Sequence, residues 1–384
     1  MKKILVIIIS LIIPTFASAQ NGTEDMISRA NSKMKSIMDR ATKAQDKIMD
    51  EYERKSRMIM EEYKTYCSRI MKKWGDEEVV ESTRKDWVEY SKDESSRSIV
   101  DFENGKVTVE VLTDPSDNED AVNEKLEKAL ENLLASKGKT PNFDSEILPQ
   151  KDISDKPILE GQIDMKKYQD NPRNIIKEEK KEKKSVDTDD GKKEVVSISL
   201  ELVEDHIPKR AQEFKDEIQR HSGRFGVNEP LIYAIMEQES YFNPMAKSHA
   251  GAYGLMQIVP SSGGLDANRY VHNIDKRPTP EDLYKPDYNI ELGTGYLKKQ
   301  MNVYFSGVTD PRCKMLCAIA AYNTGQNNVY YAFTGKRKVD GAFKEINRYS
   351  YEQLYEHLKR HLPHPETKDY IQKVSEKMKK YTKN

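Results

Sequence analysis

Apolar and polar positions recur with different periods along this chain, and the period divides it. Over residues 23–74 the chain is charged and carries a thin apolar seam. Ile27, Ala30, Met34, Ile37, Ala41, Ala44 and Ile48 alternate three and four apart, as a coiled-coil seam does. The phase then slips, and Tyr52, Ile59, Tyr63, Tyr66 and Ile70 carry a new stripe. The pattern predicts a long helix over 20–74. Two readings of its seam stay open: a hairpin or stalk packing on its own chain, or pairing with a second copy or another partner. Met in the seam specifies partners poorly, because its side chain adapts to many shapes.

Between residues 75 and 202 the period drops to two. Ile99-Val100-Asp101-Phe102 and Val107-Thr108-Val109-Glu110-Val111 flank Asn104-Gly105. That arrangement predicts a hairpin whose two turn positions both take positive φ. A helix follows near 120–136, with Val122, Leu126, Ala129, Leu130 and Leu133 on one face. Residues 137–193 are polar and irregular, including KEEKKEKK at 177–184, and read as a charged mobile linker. VVSISLEL at 195–202 reads as a strand that pairs back with the hairpin. Strand, strand and helix together predict a small α+β domain over 75–202.

From residue 203 onward the period is helical and no strand is evident. Residues 208–225 form an amphipathic helix with Ala211, Phe214 and Ile218 inward, ended by Gly226. Asn228 is placed to cap the next helix, with Pro230 in its first turn. That helix is apolar nearly all round, through Leu231, Ile232, Ala234, Ile235 and Met236. Further helices are predicted around 288–303, 312–322, 327–333 and 365–381.

The start of the chain changes the setting. Lys2 and Lys3, an apolar run over 4–16, and Ala17-Ser18-Ala19 read as a secretory signal over 1–19, cut after Ala19. The protein is therefore expected to be exported to the periplasm or cell envelope. No cysteine follows the cut, so lipid attachment there is not expected, and no second apolar run is long enough to span a membrane. Charged residues make up 33% of the chain and apolar ones 36%, too lean for one compact core over the full length. The formal charge is near neutral overall, but residues 203–384 carry 27 Lys/Arg against 22 Asp/Glu. A mildly basic domain suits an anionic polymer through long-range attraction. Nucleic acid is not an expected partner, because the basic runs lack interleaved aromatics.

The candidate chemistry is concentrated at MEQESYFNPMAKSHAGAYGLMQI, residues 236–258. One carboxylate, Glu239, ends the apolar helix, and a Gly-rich loop follows. A lone acid in a partly dry pocket keeps its proton to higher pH, because burial disfavours the charged form. Glu237, two residues away, points elsewhere on the helix. Asp266 and Asp275 sit in a polar loop and read as solvated or capping groups. Cys313 and Cys317, four apart on a helix, read as buried small apolar residues; with Cys67 the count is odd, so no full disulfide framework is expected. His357, His361 and His364 lack the Glu beside the first His that a zinc-protease helix needs, since Leu358 stands there. No metal or cofactor is expected.

Glu239-Ser240, Asn243-Pro244, GAYGLMQ at 251–257 and AAYNTG at 320–325 resemble the soluble lytic transglycosylase domain, whose members cut bacterial peptidoglycan. Upstream, Trp74-Gly75, the Asn104-Gly105 hairpin, LEGQ at 159–162 and PKRA at 208–211 resemble the membrane-bound lytic murein transglycosylase C family. The resemblance implies an α+β protein: an all-α lysozyme-like catalytic domain over 203–384, preceded by the small α+β domain and the long N-terminal helix. It implies that peptidoglycan glycan strands are the partner, cleaved at the MurNAc-GlcNAc bond with formation of a 1,6-anhydro end. Matched position by position, Glu239 is the catalytic acid and Tyr370 the tyrosine that helps hold it. Ser248 falls near the substrate's acetamido group, and Gln257 and Asn323 are amides lining the sugar cleft. Tyr253, within the GAYGLMQ match, is a candidate substrate contact. Tyr322 is a candidate for stacking on sugar, with core packing an equal reading. A lysozyme-like hydrolase or a non-catalytic wall-binding protein are the alternatives.

Overall fold

A computed structural model describes residues 22–75 and 79–382. The predicted signal segment and the side chains of Ile27, Ile48 and Tyr52 lie outside the described residues. The chain divides into two compact units, one ending at Glu62 and one beginning at Tyr63.

The first element, α1 (Gly22–Trp74), is one uninterrupted helix rather than a hairpin. In the first unit the seam residues Met34 and Ile37 are exposed, at 49% and 59%. No described helix is long and apolar enough to cross a membrane. In the second unit the later stripe is buried: Tyr66, Ile70 and Trp74 are in the core. Tyr63 and Tyr66 pack on Phe143 with ring centres 5.3 and 5.8 Å apart, and Trp74 meets Tyr90 edge-on at 6.0 Å.

Five antiparallel strands follow the helix: β1 (Asp86–Tyr90), β2 (Ser96–Asp101), β3 (Lys106–Thr113), and after an excursion β6 (Glu182–Thr188) and β7 (Gly191–Glu201), in the order β1-β2-β3-β7-β6. The excursion holds α2 (Glu119–Ala135), the short pair β4 (Lys139–Thr140) and β5 (Lys151–Asp152), and α3 (Pro172–Glu178). The predicted strand at 195–202 does pair with the hairpin, Val109 opposite Ile198. One face of the sheet supplies Val100, Val107, Val109, Ile198 and Leu200 to a core completed by Val122, Leu126, Leu130 and Leu133 of α2.

Two sequence readings need correction. Residues 137–193 are not a mobile linker. Ile158, Leu159, Ile163, Tyr168, Ile175 and Ile176 are buried in the sheet core, and the charge run passes from the end of α3 into the edge strand β6. Its lysines face solvent and only Val186 is buried, a pattern that blunts an open sheet edge and hides the strand from periodicity. The hairpin loop is also longer than two residues: Phe102 to Gly105 separate the strands, and of Asn104 and Gly105 only Gly105 has positive φ, +70°. A Cβ there would come within 2.8 Å of the His206 ring.

The remainder is helical: α4 (His206–Glu213), α5 (Lys215–Phe225), α6 (Glu229–Ser240), α7 (Leu265–Val271), α8 (Pro280–Leu283), α9 (Pro286–Lys299), α10 (Pro311–Thr324), α11 (Gln326–Thr334), α12 (Ala342–Ile346), α13 (Tyr351–His361) and α14 (Pro365–Thr382). Gly226 ends α5 in the left-handed region, at φ 60°. The predicted 208–225 helix is broken at Phe214, which still points Ala211, Phe214 and Ile218 into the core. Asn228 occupies the cap position of α6 without a side-chain cap bond. Cys313 and Cys317 are free and buried.

Arg210 joins the sheet to the helical body. Its guanidinium lies 3.7 Å over the Phe102 ring and donates to the carbonyls of Phe242, at 2.5 Å, and Tyr241, at 3.4 Å. Burial lowers its pKa to about 10, with Glu213 opposing, so it stays charged near neutrality. Those carbonyls belong to the only consecutive pair among the described residues of the helical body where two non-glycine residues both take positive φ, 52° at Tyr241 and 59° at Phe242. Arg210→Met should therefore destabilise the fold by about 3 kcal/mol, through two buried carbonyls left without a donor. Urea denaturation checks this, and Arg210→Lys should recover little, because an ammonium cannot stack and fork at once.

Candidate active site

Helix α6 delivers the acid. Leu231, Ile232, Ala234, Ile235 and Met236 are all buried, so the helix runs through the core and carries Glu239 in with it. Glu239 is 7% exposed. Helix α14 packs alongside α6, and its Tyr370 hydroxyl donates to Glu239 Oε1 at 2.7 Å. Arg84, from the segment before β1, places its guanidinium 3.8 Å from Oε2. Burial raises the Glu239 pKa to about 7; the Tyr370 bond and Arg84 hold it back, and Glu366 adds to the rise. Tyr370 is itself pushed well above its ordinary value by burial and by the Glu239 charge, so it remains a donor.

Glu237 has the opposite fate. Burial works against its charge, but Lys377 at 2.8 Å, Tyr381 and Lys380 at 3.1 Å outweigh it, and its pKa lies below the usual carboxylate value. Asp266 is on α7 rather than in a loop, and accepts from Tyr304 and pairs with Lys299 at 2.7 Å. Asp275 pairs with Arg269.

The loop after α6 is built to a narrow tolerance. Ser240 Oγ donates to the Leu255 carbonyl at 2.8 Å, tying the helix end to the loop. Gly254 has φ +74°, and a Cβ there would fall 2.3 Å from the Leu283 carbonyl oxygen. Asn289, fully buried on α9, accepts from Met256 N at 2.8 Å and donates to the Tyr253 carbonyl at 2.9 Å. No motif marked Asn289.

The sequence-predicted residues divide into two groups. Tyr370 touches Glu239 directly, and Tyr322 is near enough that the Glu239 charge adds to the burial that raises its pKa. Asn323 joins through α14: its Oδ1 accepts from Thr367 Oγ1 at 2.7 Å. The others hold the loop. Ser248 Oγ accepts from Ala252 N at 3.0 Å. Gln257, at φ 47°, donates to the carbonyls of Ala246 and Gly254, and its Oε1 is buried without a protein partner. Tyr253 meets Tyr284 edge-on at 5.6 Å. Tyr322 belongs to both groups, since it also donates to the Met256 carbonyl of the loop at 2.8 Å and packs on Tyr296.

Sequence reasoning missed Arg84, which lies in a polar stretch with no periodicity. No group of three or more His, Cys, Asp or Glu able to hold a metal occurs among the described residues. His357 instead stacks on Phe333 at 4.5 Å and contacts Tyr349.

The family described as Transglycosylase SLT domain matches residues 216–343. The one described as Membrane-bound lytic murein transglycosylase C, N-terminal domain, matches residues 52–213. The protein named membrane-bound lytic murein transglycosylase C from Cronobacter sakazakii is 33% identical over 329 residues, covering 82% of this chain and 87% of that one. Its counterpart from Sodalis glossinidius is 32% identical, covering 82% and 88%, and that from Histophilus somni is 31% identical, covering 80% and 83%. The solved 70 kDa soluble lytic transglycosylase from Escherichia coli is 26% identical over 46% of this chain and 25% of its own length, with a TM-score of 0.34.

The raised pKa carries a stability consequence. A carboxyl with a folded pKa near 7 and an unfolded value near 4.5 opposes folding once it must ionise. The native state is favoured below the unfolded value and loses that advantage as pH rises toward 7. Glu239→Gln should then be more stable than wild type by roughly 2–3 kcal/mol at pH 8 and about equal at pH 4, read from thermal melts at both.

Proposed function

The chain belongs to the membrane-bound lytic murein transglycosylase C family and is a lytic murein transglycosylase, a lyase acting on peptidoglycan; from that premise we propose that Glu239 alone serves as general acid and then general base, cutting the MurNAc-GlcNAc β-1,4 bond without water. The observation that carries the reading is a carboxyl buried at the end of α6 that accepts a 2.7 Å hydrogen bond from the protonated Tyr370 hydroxyl, with burial raising its pKa to about 7. One group that must give a proton and take one back works best when its pKa sits near the working pH.

With Oε1 accepting from Tyr370, the proton of neutral Glu239 resides on Oε2. Glu239 gives it to the leaving glycosidic oxygen as the C1–O bond breaks. The N-acetyl oxygen of the muramic sugar attacks its own C1 and closes an oxazolinium-like ring, the substrate-assisted exception to paired carboxylates. The Glu239 carboxylate then removes the proton of the C6 hydroxyl. The C6 oxygen bonds to C1, the oxazolinium bond opens, and a 1,6-anhydro end forms. Glu237 is unsuited to act as a second carboxylate at this bond, because its charge is committed to Lys377 and Lys380. Tyr370 orients Glu239. Ser248, Gln257, Asn323, Tyr253 and Tyr322 shape the sugar cleft, with the spare acceptor of Gln257 available to a sugar donor. The substrate places the enzyme in the cell envelope.

The test is digestion of purified peptidoglycan with mass analysis of the products. Wild type should release ends one water lighter than reducing ends, and Glu239→Gln should lose about 10²–10⁴-fold in rate. Reducing ends from wild type would favour hydrolysis, and equal clearing by the variant would remove Glu239 from the chemistry.

A further inference from the structure

Among the described residues, Arg84 is the one cation within ion-pair distance of Glu239, and it comes from the sheet domain rather than from the helical body. Its backbone is fixed on both sides. Thr83 N donates to the Asp86 carbonyl at 2.9 Å, and Thr83 Oγ1 accepts from the amides of Lys85 and Asp86. Ser82 Oγ accepts from Val88 N at 2.9 Å. The Thr83 carbonyl accepts from Lys247 N at 3.3 Å, which stitches this turn to the loop after the catalytic helix. Neighbouring cations are engaged elsewhere: Lys85 on Glu103, Lys377 on Glu237. Among the described residues Arg84 has no closer partner, with its side chain 38% exposed and its guanidinium 3.8 Å from Oε2, beyond hydrogen-bond length.

We propose that Arg84 is a positioning residue of the active site, lent by the sheet domain, whose charge stabilises the Glu239 carboxylate as its proton departs. The inference rests on Glu239 acting as the acid. The geometry suits the task. Tyr370 occupies Oε1, so the departing proton and the cation share Oε2. At 3.8 Å, with no hydrogen bond to Oε2, the guanidinium leaves room for the acid proton to point away from it toward substrate. The other groups that face Glu239 are Tyr370 and Tyr322, both held neutral by burial, and Glu366, which opposes ionisation. Among the described residues Arg84 is therefore the positive charge acting against that opposition. The sheet domain thus contributes to the reaction itself.

The experiment compares wild type, Arg84→Met and Arg84→Lys by initial rates on soluble glycan chains from about pH 5 to pH 9. Glu239 must start protonated, so activity falls as pH rises through its pKa. Without Arg84 the carboxylate is harder to form. The alkaline limb should move up by about one pH unit in Arg84→Met. The plateau rate should fall severalfold, and Arg84→Lys should restore most of both. Thermal melts verify folding, and Arg84→Gln replaces Arg84→Met if that variant is unfolded. A folded neutral variant whose profile superimposes on wild type overturns the proposal, as does a Lys variant displaced as far as Met. If Glu239→Gln keeps wild-type activity, the acid reading falls; if it is inactive while Arg84→Met keeps the wild-type profile, only the Arg84 assignment falls.

Discussion

The site depends on the packing of α14 against α6. These two helices decide the state of two carboxylates that stand two residues apart. Glu237 meets Lys377, Lys380 and Tyr381, and stays ionised. Glu239 meets Tyr370, and burial pushes it to about 7. A cation compensates burial and a neutral phenol does so only in part, so one helix contact yields one stable anion and one carboxyl that keeps its proton to higher pH. The ion pairs of Glu237 also anchor the far end of α14, which keeps the Tyr370 hydroxyl in register with Glu239.

The end of α6 is the second constraint. Immediately beyond Glu239 the backbone takes positive φ at Tyr241 and Phe242, a conformation that costs about 1 kcal/mol or more at each non-glycine residue. Arg210 holds both carbonyls while stacking on Phe102 of the hairpin loop, and Tyr241 donates to Glu103 beside it. His206 contacts the Phe102 carbonyl at 3.2 Å. The sheet domain is thus bonded to the turn that ends α6, as well as to the loop that follows it through Thr83. A rigid sheet edge is a better support for such a turn than a free loop, because its own hydrogen-bond ladder limits its movement.

Much of this was legible in the sequence for identifiable reasons. Glu239 stood out because an acid on a helix apolar nearly all round has nowhere to go but inside. Val107, Val109 and Val111 announced a strand through strict alternation. Gly254 was marked by its motif, and the reason is a carbonyl that leaves no room for a Cβ. Other parts were hidden because their cause is tertiary. The lysines of β6 describe a solvated edge, which in one dimension looks the same as a linker. The hairpin loop has four residues, with the Asp101 carboxylate accepting from the amides of Glu103 and Asn104, a turn that the Asn-Gly pair alone did not announce. Phe214 breaks one predicted helix into two while keeping its inward face, so the pattern alone could not show the joint. Arg84 and Asn289 have no local pattern, since each acts on a segment distant in sequence.

Arg84 and Tyr370 bear on the same carboxyl but are not interchangeable in what they do. A phenol hydroxyl donates one directed bond, so it fixes which oxygen is free and leaves the charge balance largely to burial. A guanidinium at 3.8 Å makes no directed bond to Oε2 and acts by field alone. Orientation therefore comes from within the helical body, where α14 is locked to α6. Charge comes from outside it, on a turn whose placement depends on the sheet domain being docked. The carboxyl is thus aimed from within the helical body, while the cation beside it comes from the sheet domain.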